Sequence, residues 1–410
     1  MRLSLKIAML APIKRPLTPD TTVSRPRVIV DLASELIKRG HKITILGTAD
    51  SSLPGAEIVG IVPKGLNFLP VAENPFYQHT AYLTQMIKYL IDHNREFDLI
   101  HNHMYPEYLP LLGIKSLNTP MLTTVHSQMV PETVATLKVF PEAHLVAISD
   151  MSKRTAGIDS MTVIRNSVDT DLFVPDETNP KTYLLCVGRM SAAKDAKGSF
   201  LDPKGIQNAI LIAQKTGEHL KIVGNVEDPV FFETLVKPHL SAKIEFLGKV
   251  SAEQTLTRYK MVKLFQGAKA FINAINWEEP FGLVMAEALS TGTPVIAYNR
   301  GAVAEIVKDG VTGFIVEPSG PAARQPQNQP AKGHPAFGAP RLASPDDEKI
   351  PWEIKKRGIE GFVEATKRIN EIDRNVCREH AVNHFSKKRM VDEYEKLYFT
   401  MTSSFKINSI

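Results

Sequence analysis

Cysteine is nearly missing from this sequence: its 410 residues include two, Cys186 and Cys377, set far apart. So few exclude a disulfide framework and a cysteine-built metal site, and they suit a reducing cytoplasm. No apolar run approaches the roughly 20 residues that a membrane-spanning helix needs. Runs of lysine and arginine interleaved with aromatics are also missing, which removes the usual footprint of nucleic-acid binding. No Gly-x-Gly-x-x-Gly follows the first apolar run, so a nicotinamide oxidoreductase is disfavoured. Residues 3–10 carry Lys6, lack a small-residue cleavage site and run into Pro12 and Pro16. They read as a buried strand, not as a leader.

What is present is ordinary for a globular chain: 43% hydrophobic and 23% charged residues. The length predicts two α/β domains of about 150–200 residues each. The net charge of +5 is spread along the chain. It suits an anionic substrate, or loose contact with an anionic membrane surface.

The opening reads as strand, loop, helix, strand. Residues 5–10 form the first strand and residues 11–24 a loop rich in proline and threonine. Val28, Ile29, Leu32, Ala33, Leu36 and Ile37 then recur at helical spacing, with Gly40 placed to end the helix. Residues 42–46 give a second strand, completing a βαβ unit. A helix over 82–93 and strands at 98–101, 120–126 and 144–149 continue the series, and Val163 with Ile164 leads out of it. Polar, proline-bearing residues 166–180 read as a linker. A second series has strands at 183–188, 220–224, 244–247, 270–274, 294–297 and 313–316, separated by helical segments. Strands alternating with helices in both halves predict two doubly wound parallel-sheet domains.

From Pro318 through Pro351 the chain has eight prolines among Gln, Ala, Gly and charged residues, a composition expected of a mobile insertion. The last helix, over 387–398, should carry Met390, Val391, Tyr394, Leu397 and Tyr398 on one face.

The most informative stretch is residues 276–289, Asn-Trp-Glu-Glu-Pro-Phe-Gly-Leu-Val-Met-Ala-Glu-Ala-Leu. It follows a strand and opens a helix that Gly292 and Pro294 close. The N–H groups of Phe281, Gly282 and Leu283, with the helix dipole, make an anion site. Glu279 precedes that helix and Glu287 lies inside it. Were all eight steps helical, the rise between them would be about 12 Å, close to the reach from a donor sugar across a diphosphate to a ribose. The same acids also suit a helix that merely carries charge at its start.

This segment resembles the Glu-x7-Glu signature of the family 4 glycosyltransferases. Further motifs fall in that family's order. They are Arg39-Gly40-His41, Thr124-Val125-His126, Ala147-Ile148-Ser149, Asn166 with Val168-Asp169, Val187-Gly188-Arg189, Lys204-Gly205, Phe246-Leu247-Gly248 before Val250-Ser251, and Phe385-Ser386 with Tyr394 and Tyr398. The resemblance implies the GT-B fold, with two Rossmann-like domains facing across a cleft. The first, 1–170, would take the acceptor, and the second, 171–385, would bind the nucleotide sugar and contain the insertion at 318–351. A helix over 386–410 would cross back onto the first.

The resemblance also implies a retaining transfer of a hexosyl group from a UDP- or GDP-sugar to an unidentified glycan, lipid-linked or small-molecule acceptor. Glu279, His126, Arg189 and Lys204 would be catalytic, with Arg189 and Lys204 meeting charge that grows on the leaving diphosphate. Glu287 would hold the ribose. Gly188, Phe281, Gly282, Leu283, Val250 and Asn166 would complete the donor pocket. No metal or other cofactor is implied, and no nucleic-acid partner. His101 and His103 alternate across Asn102 without a matching carboxylate pair, a weak basis for a metal site. The alternatives are a sugar-nucleotide-binding protein without turnover, or a related disaccharide phosphorylase or synthase.

Three features depart from the family. Residues 21–27, Thr-Thr-Val-Ser-Arg-Pro-Arg, lack the usual Gly-Gly pair; either Arg25 or Arg27 substitutes electrostatically, or the acceptor end is built differently. Asn166 lies within Arg165-Asn166-Ser167, not Pro-Asn-Gly. A Lys- and Ala-rich insert separates Arg189 from Lys204.

Overall fold

The computed structural model describes residues 4–248, 250–251, 254–255, 257–319 and 350–408. The chain forms two compact units, one of Met1–Asp169 with Asn383–Ile410 and one of Thr170–Val382. Most of the proline-rich insertion expected at 318–351 lies outside the described residues.

In the first unit the elements run β1 (Lys6–Leu10), α1 (Ser24–Lys38), β2 (Lys42–Thr48), β3 (Ala56–Val62), α2 (Pro75–His93), β4 (Leu99–Asn102), β5 (Met121–Val125), α3 (Pro131–Lys138), β6 (His144–Ala147), α4 (Asp150–Ala156) and β7 (Thr162–Val163). The strands form one parallel sheet in the order β3-β2-β1-β4-β5-β6-β7. Its centre is fully buried: every residue of β4 and β5 is inside, as a sheet covered on both faces requires.

The second unit contains β8 (Tyr183–Val187), α5 (Ile206–Thr216), β9 (Leu220–Val223), α6 (Pro229–Phe231), β10 (Ile244–Phe246), the small hairpin β11 (Val250–Ser251) and β12 (Gln254–Thr255), α7 (Arg258–Gln266), β13 (Ala268–Asn273), α8 (Leu283–Ser290), β14 (Val295–Tyr298), α9 (Val303–Ile306), β15 (Gly313–Val316) and α10 (Gly358–Arg368). Its parallel sheet has the order β10-β9-β8-β13-β14-β15. Two helices complete the chain, α11 (Arg374–Phe385) and α12 (Lys387–Asn408), and α12 belongs to the first unit. There the Tyr394 hydroxyl lies 2.9 Å from Thr124 Oγ1, and the Tyr398 hydroxyl 2.6 Å from His101 Nδ1. Arg39 pairs with Asp392 at 2.7 Å and with Glu395 at 2.9 Å.

Four details differ from expectation. Strand β3 was not foreseen: it is a half-exposed edge strand whose Glu57 and Gly60 interrupt the apolar pattern. Helix α1 starts at Ser24 and not near Val28, because Pro26 falls in the first turn, where a missing N–H costs nothing. Helix α2 begins at Pro75, well before residue 82, because the Asn74 side chain caps it by accepting from Phe76 N–H and Tyr77 N–H. On α12 the buried stripe is Met390, Val391, Tyr394, Tyr398 and Met401. Leu397 sits at its border, half-buried.

Each sheet has one point where strand order reverses, β1 beside β4 and β8 beside β13. Doubly wound sheets bind ligands at the carboxyl ends of such strands.

Candidate active site

In the second unit the expected donor residues meet at the β8/β13 reversal. Gly188 and Arg189 follow β8, and Asn276 to Glu279 follow β13. Lys204 reaches them from the loop before α5: its Nζ lies 2.5 Å from Glu279 Oε2 and 4.5 Å from the centre of the Trp277 ring. Trp277 Nε1–H donates to the same carboxylate oxygen at 3.0 Å. A cation, a carboxylate and an indole thus share one corner.

Local sequence explains how Lys204 arrives there. Gly205 has φ +67°, and a Cβ on it would collide with the Ala274 carbonyl, so only glycine lets this loop touch the end of β13. Asn276 Nδ2–H donates to the Asp202 carbonyl at 2.9 Å, and Asn208 Nδ2–H to the Ala274 carbonyl at 2.9 Å. Gln207 N–H donates to Asp202 Oδ2 at 2.8 Å. Burial pushes the Asp202 carboxyl up, against the pull of the Gln207, Ile206 and Gly205 N–H groups. Gly188 makes room for the stem of Lys204, since a Cβ there would stand 2.5 Å from the lysine Cβ. Arg189 is half exposed and pairs with Glu227 at 3.1 Å.

Helix α8 opens at Gly282, whose φ of +99° forms the N-cap. Phe281 and Leu283 flank it, both buried, and the first turn's N–H groups have no earlier helical carbonyl to meet. The Glu279 carbonyl accepts from Ala302 N–H at 2.9 Å, and Glu278 accepts from Gly301 N–H at 2.5 Å, so the loop is braced from below. Glu287 is buried inside α8. The eight steps from Glu279 to Glu287 are not all helical, contrary to the premise of the 12 Å estimate: the helix begins at Leu283 and Gly282 turns left-handed. Val250 opens the hairpin and pairs with Thr255.

His126 and Asn166 belong to the first unit. His126 follows β5, and its backbone is held by Glu107, a carboxylate only 2% exposed in the loop after β4. Glu107 Oε1 accepts from His126 N–H at 3.1 Å, from Ser127 N–H at 3.0 Å and from Arg25 Nη2–H at 2.7 Å. Arg25 also donates to Ser127 Oγ at 2.7 Å and to the Met104 carbonyl at 3.1 Å. Of the two arginines expected to stand in for the glycine pair, Arg25 is thus paired with Glu107, and Arg27 is buried in α1. His101 and His103 do share a strand face, with rings 3.8 Å apart, but they bond to side chains. His101 Nε2 lies 2.8 Å from Thr124 Oγ1, and His103 Nδ1 lies 2.8 Å from His126 Nε2. Asn166 is buried, with its carbonyl accepting from Arg389 Nη2–H at 3.0 Å.

Two family models together match residues 26–325 of this chain. Residues 26–172 match "Glycosyltransferase Family 4", and residues 168–325 match "Glycosyl transferases group 1". The chain is a family 4 glycosyltransferase. Among its relatives, spore coat protein SA of Bacillus subtilis is 22% identical over 76% of this chain and 85% of its own length. D-inositol 3-phosphate glycosyltransferase of Corynebacterium diphtheriae is 21% identical over 77% and 83%. Solved structures carry the fold likeness. Sucrose-phosphate synthase from Thermosynechococcus elongatus superposes with TM-score 0.71 at 17% identity, covering 97% of this chain and 99% of that one. An Anabaena protein solved in complex with UDP-glucose gives 0.64 at 16% identity, covering 97% and 100%.

Sequence reasoning on this glycosyltransferase passed over Trp277, Glu107 and the partnership of His103 with His126. Trp277 stood inside the quoted signature, and its indole N–H was the available signal. Glu107 carried no signal, since the partners of its carboxylate lie on two distant segments of the chain, at Arg25 and at His126 with Ser127.

The buried histidines have a consequence for stability. Burial, with the charge of Arg25 close by, lowers His103 to about 3, and burial, His103 and His126 hold His101 well below its ordinary range. Both stay neutral in the fold while the unfolded chain protonates near pH 6.5. Stability is therefore complete above about pH 6.5 and falls as pH drops below it, by about 1.4 kcal/mol per pH unit for each histidine. Burial, with Arg25 and His103 nearby, holds His126 well below its ordinary range too, so His103→Leu should remove about a third of the slope between about pH 7.5 and about pH 5, measured by urea unfolding. Equal stability at the two pH values would contradict it.

Proposed function

We propose that this enzyme is a retaining hexosyltransferase using a UDP- or GDP-sugar donor. The observation that carries the reading is the Lys204–Glu279–Trp277 corner at the carboxyl end of β8 and β13, beside the N-terminus of α8. A donor diphosphate would draw Lys204 away from Glu279, and the freed carboxylate would accept hydrogen bonds from the sugar hydroxyls. Glu287 would take the ribose. Gly188, Phe281, Gly282, Leu283 and Val250 would form the rest of the donor pocket. The helix N-terminus, Lys204 and Arg189 would meet the charge that builds on the diphosphate, so the reading calls for no metal or other cofactor. The acceptor oxygen would bond to the anomeric carbon on the face the nucleotide leaves. A diphosphate oxygen would take the acceptor's proton as the sugar–phosphate bond breaks.

Thermal unfolding with a panel of UDP- and GDP-sugars tests the donor assignment. A ligand at about 100 times its Kd should stabilise the protein by about 2.7 kcal/mol. No shift with any of them would remove the reading.

We also propose a cytoplasmic enzyme in loose contact with an anionic membrane face. What supports this is a basic, aromatic surface of the first unit. Lys14 lies over Tyr105, Arg15 and Lys64 lie over Phe68, and Phe76 and Tyr77 stand exposed at the start of α2. No carboxylate pairs with Lys14, Arg15 or Lys64 among the described residues, leaving their charge for anionic lipid. Among those residues no helix is long and apolar enough to cross a membrane. The enzyme should sediment with vesicles containing phosphatidylglycerol and not with phosphatidylcholine alone, and Lys14→Gln with Lys64→Gln should weaken this by about 30-fold. Equal sedimentation with both vesicle types would contradict it.

A further inference from the structure

His103 and His126 form a pair whose proton placement the surroundings decide. His103 Nδ1 and His126 Nε2 are 2.8 Å apart, so one of them donates. His103 is 0% exposed, and its Nε2 has no hydrogen-bond partner among the described residues. A neutral imidazole has one N–H. If His126 donated, the His103 proton would sit on Nε2, giving a buried N–H without an acceptor. If His103 donates from Nδ1, its Nε2 is left with only a lone pair. Orphaned buried N–H groups are the rarer defect.

We infer that His103 donates its Nδ1–H to His126 Nε2 and thereby fixes His126 as its Nδ1–H tautomer, so that His126 meets a ligand as a hydrogen-bond donor and not as a base. No described group hydrogen-bonds His126 Nδ1, and the ring keeps part of its surface. Glu107 fixes the backbone on which the ring turns. The partner that suits an N–H here is an oxygen carrying lone pairs, a sugar hydroxyl or a phosphate. That part of the inference rests on the glycosyl-transfer reading; the tautomer does not. His103 is a positioning residue, acting through His126.

The test is a long-range proton–nitrogen correlation spectrum of the full chain labelled at histidine nitrogen, near pH 7.5. His103 and His126 should both appear with protonated Nδ1 and bare Nε2. In His103→Leu the His126 signature should move towards Nε2–H. In His103→Asn, whose amide can donate from the same place, it should return. Donor turnover should follow: kcat about tenfold lower in the leucine variant, KM for the donor within about twofold, and kcat recovered in the asparagine variant. Nε2–H on His126 in the wild-type chain, or a His126 signature unmoved in His103→Leu, would overturn the inference. Should the wild-type spectrum fit while no nucleotide sugar is turned over, the glycosyl-transfer reading fails and the tautomer stands.

Discussion

Lys204→Ala is expected to lower turnover of the nucleotide-sugar donor by about 10²–10³-fold, the range seen when one preorganised electrostatic contact to a leaving group is removed. The lysine is held over Trp277 and against Glu279, on a loop that Gly205, Asn208 and Asn276 fix to the end of β13. Its charge therefore stands at the site before the donor arrives, and once drawn from Glu279 onto the diphosphate it needs no further rearrangement as that group leaves. Stability should change little, because the ion pair retains some solvent contact and such pairs contribute about 0–1 kcal/mol. Lys204→Arg should recover part of the binding and less of the rate, since a planar guanidinium does not reproduce a compact ammonium. Steady-state release of nucleoside diphosphate, set beside urea unfolding of the same variants, measures both quantities. Wild-type turnover in Lys204→Ala would contradict the role given to it.

The second large effect belongs to the first unit. Glu107→Ala should destabilise it by about 3–5 kcal/mol, because the substitution leaves Arg25 buried without its counter-charge and orphans the N–H groups of His126 and Ser127. Removing both charges together, as Arg25→Met with Glu107→Leu, should cost much less, since the expensive state is one unpaired buried ion and not a missing pair. Urea unfolding of the two variants separates these outcomes. Equal losses in the single and double variants would show that the carboxylate acts through its backbone hydrogen bonds alone.

These two sites differ in how legible they were. The inner strands of both sheets, the helix opening near Gly282 and the Glu279-to-Glu287 spacing could be read, because each is local: periodicity, turn residues and short motifs lie within one stretch of chain. The family match at residues 26–325 agrees with that reading. What escaped was non-local or weakly patterned. Strand β3 lies at an edge and is half exposed, so burial imposes little alternation on it. Asn74 before Pro75 was a start signal for α2, overlooked because the first turn of that helix buries nothing and shows no apolar period. Arg25 stood in a glycine-free loop and was read as a candidate substitute for the missing glycine pair. Its real partner, Glu107, lies 82 residues away in the sequence, and no spacing rule connects the two. The residues that support His126 are hidden for the same reason.

The most direct test of the account is to incubate the enzyme with the nucleotide sugar that stabilises it, then measure nucleoside diphosphate release and the anomeric configuration of the sugar product, for the wild type and for Glu279→Ala. The account predicts release with retained configuration in the wild type, and release reduced by at least about 10²-fold in the variant. Inverted configuration, or release at the wild-type rate without Glu279, would contradict it.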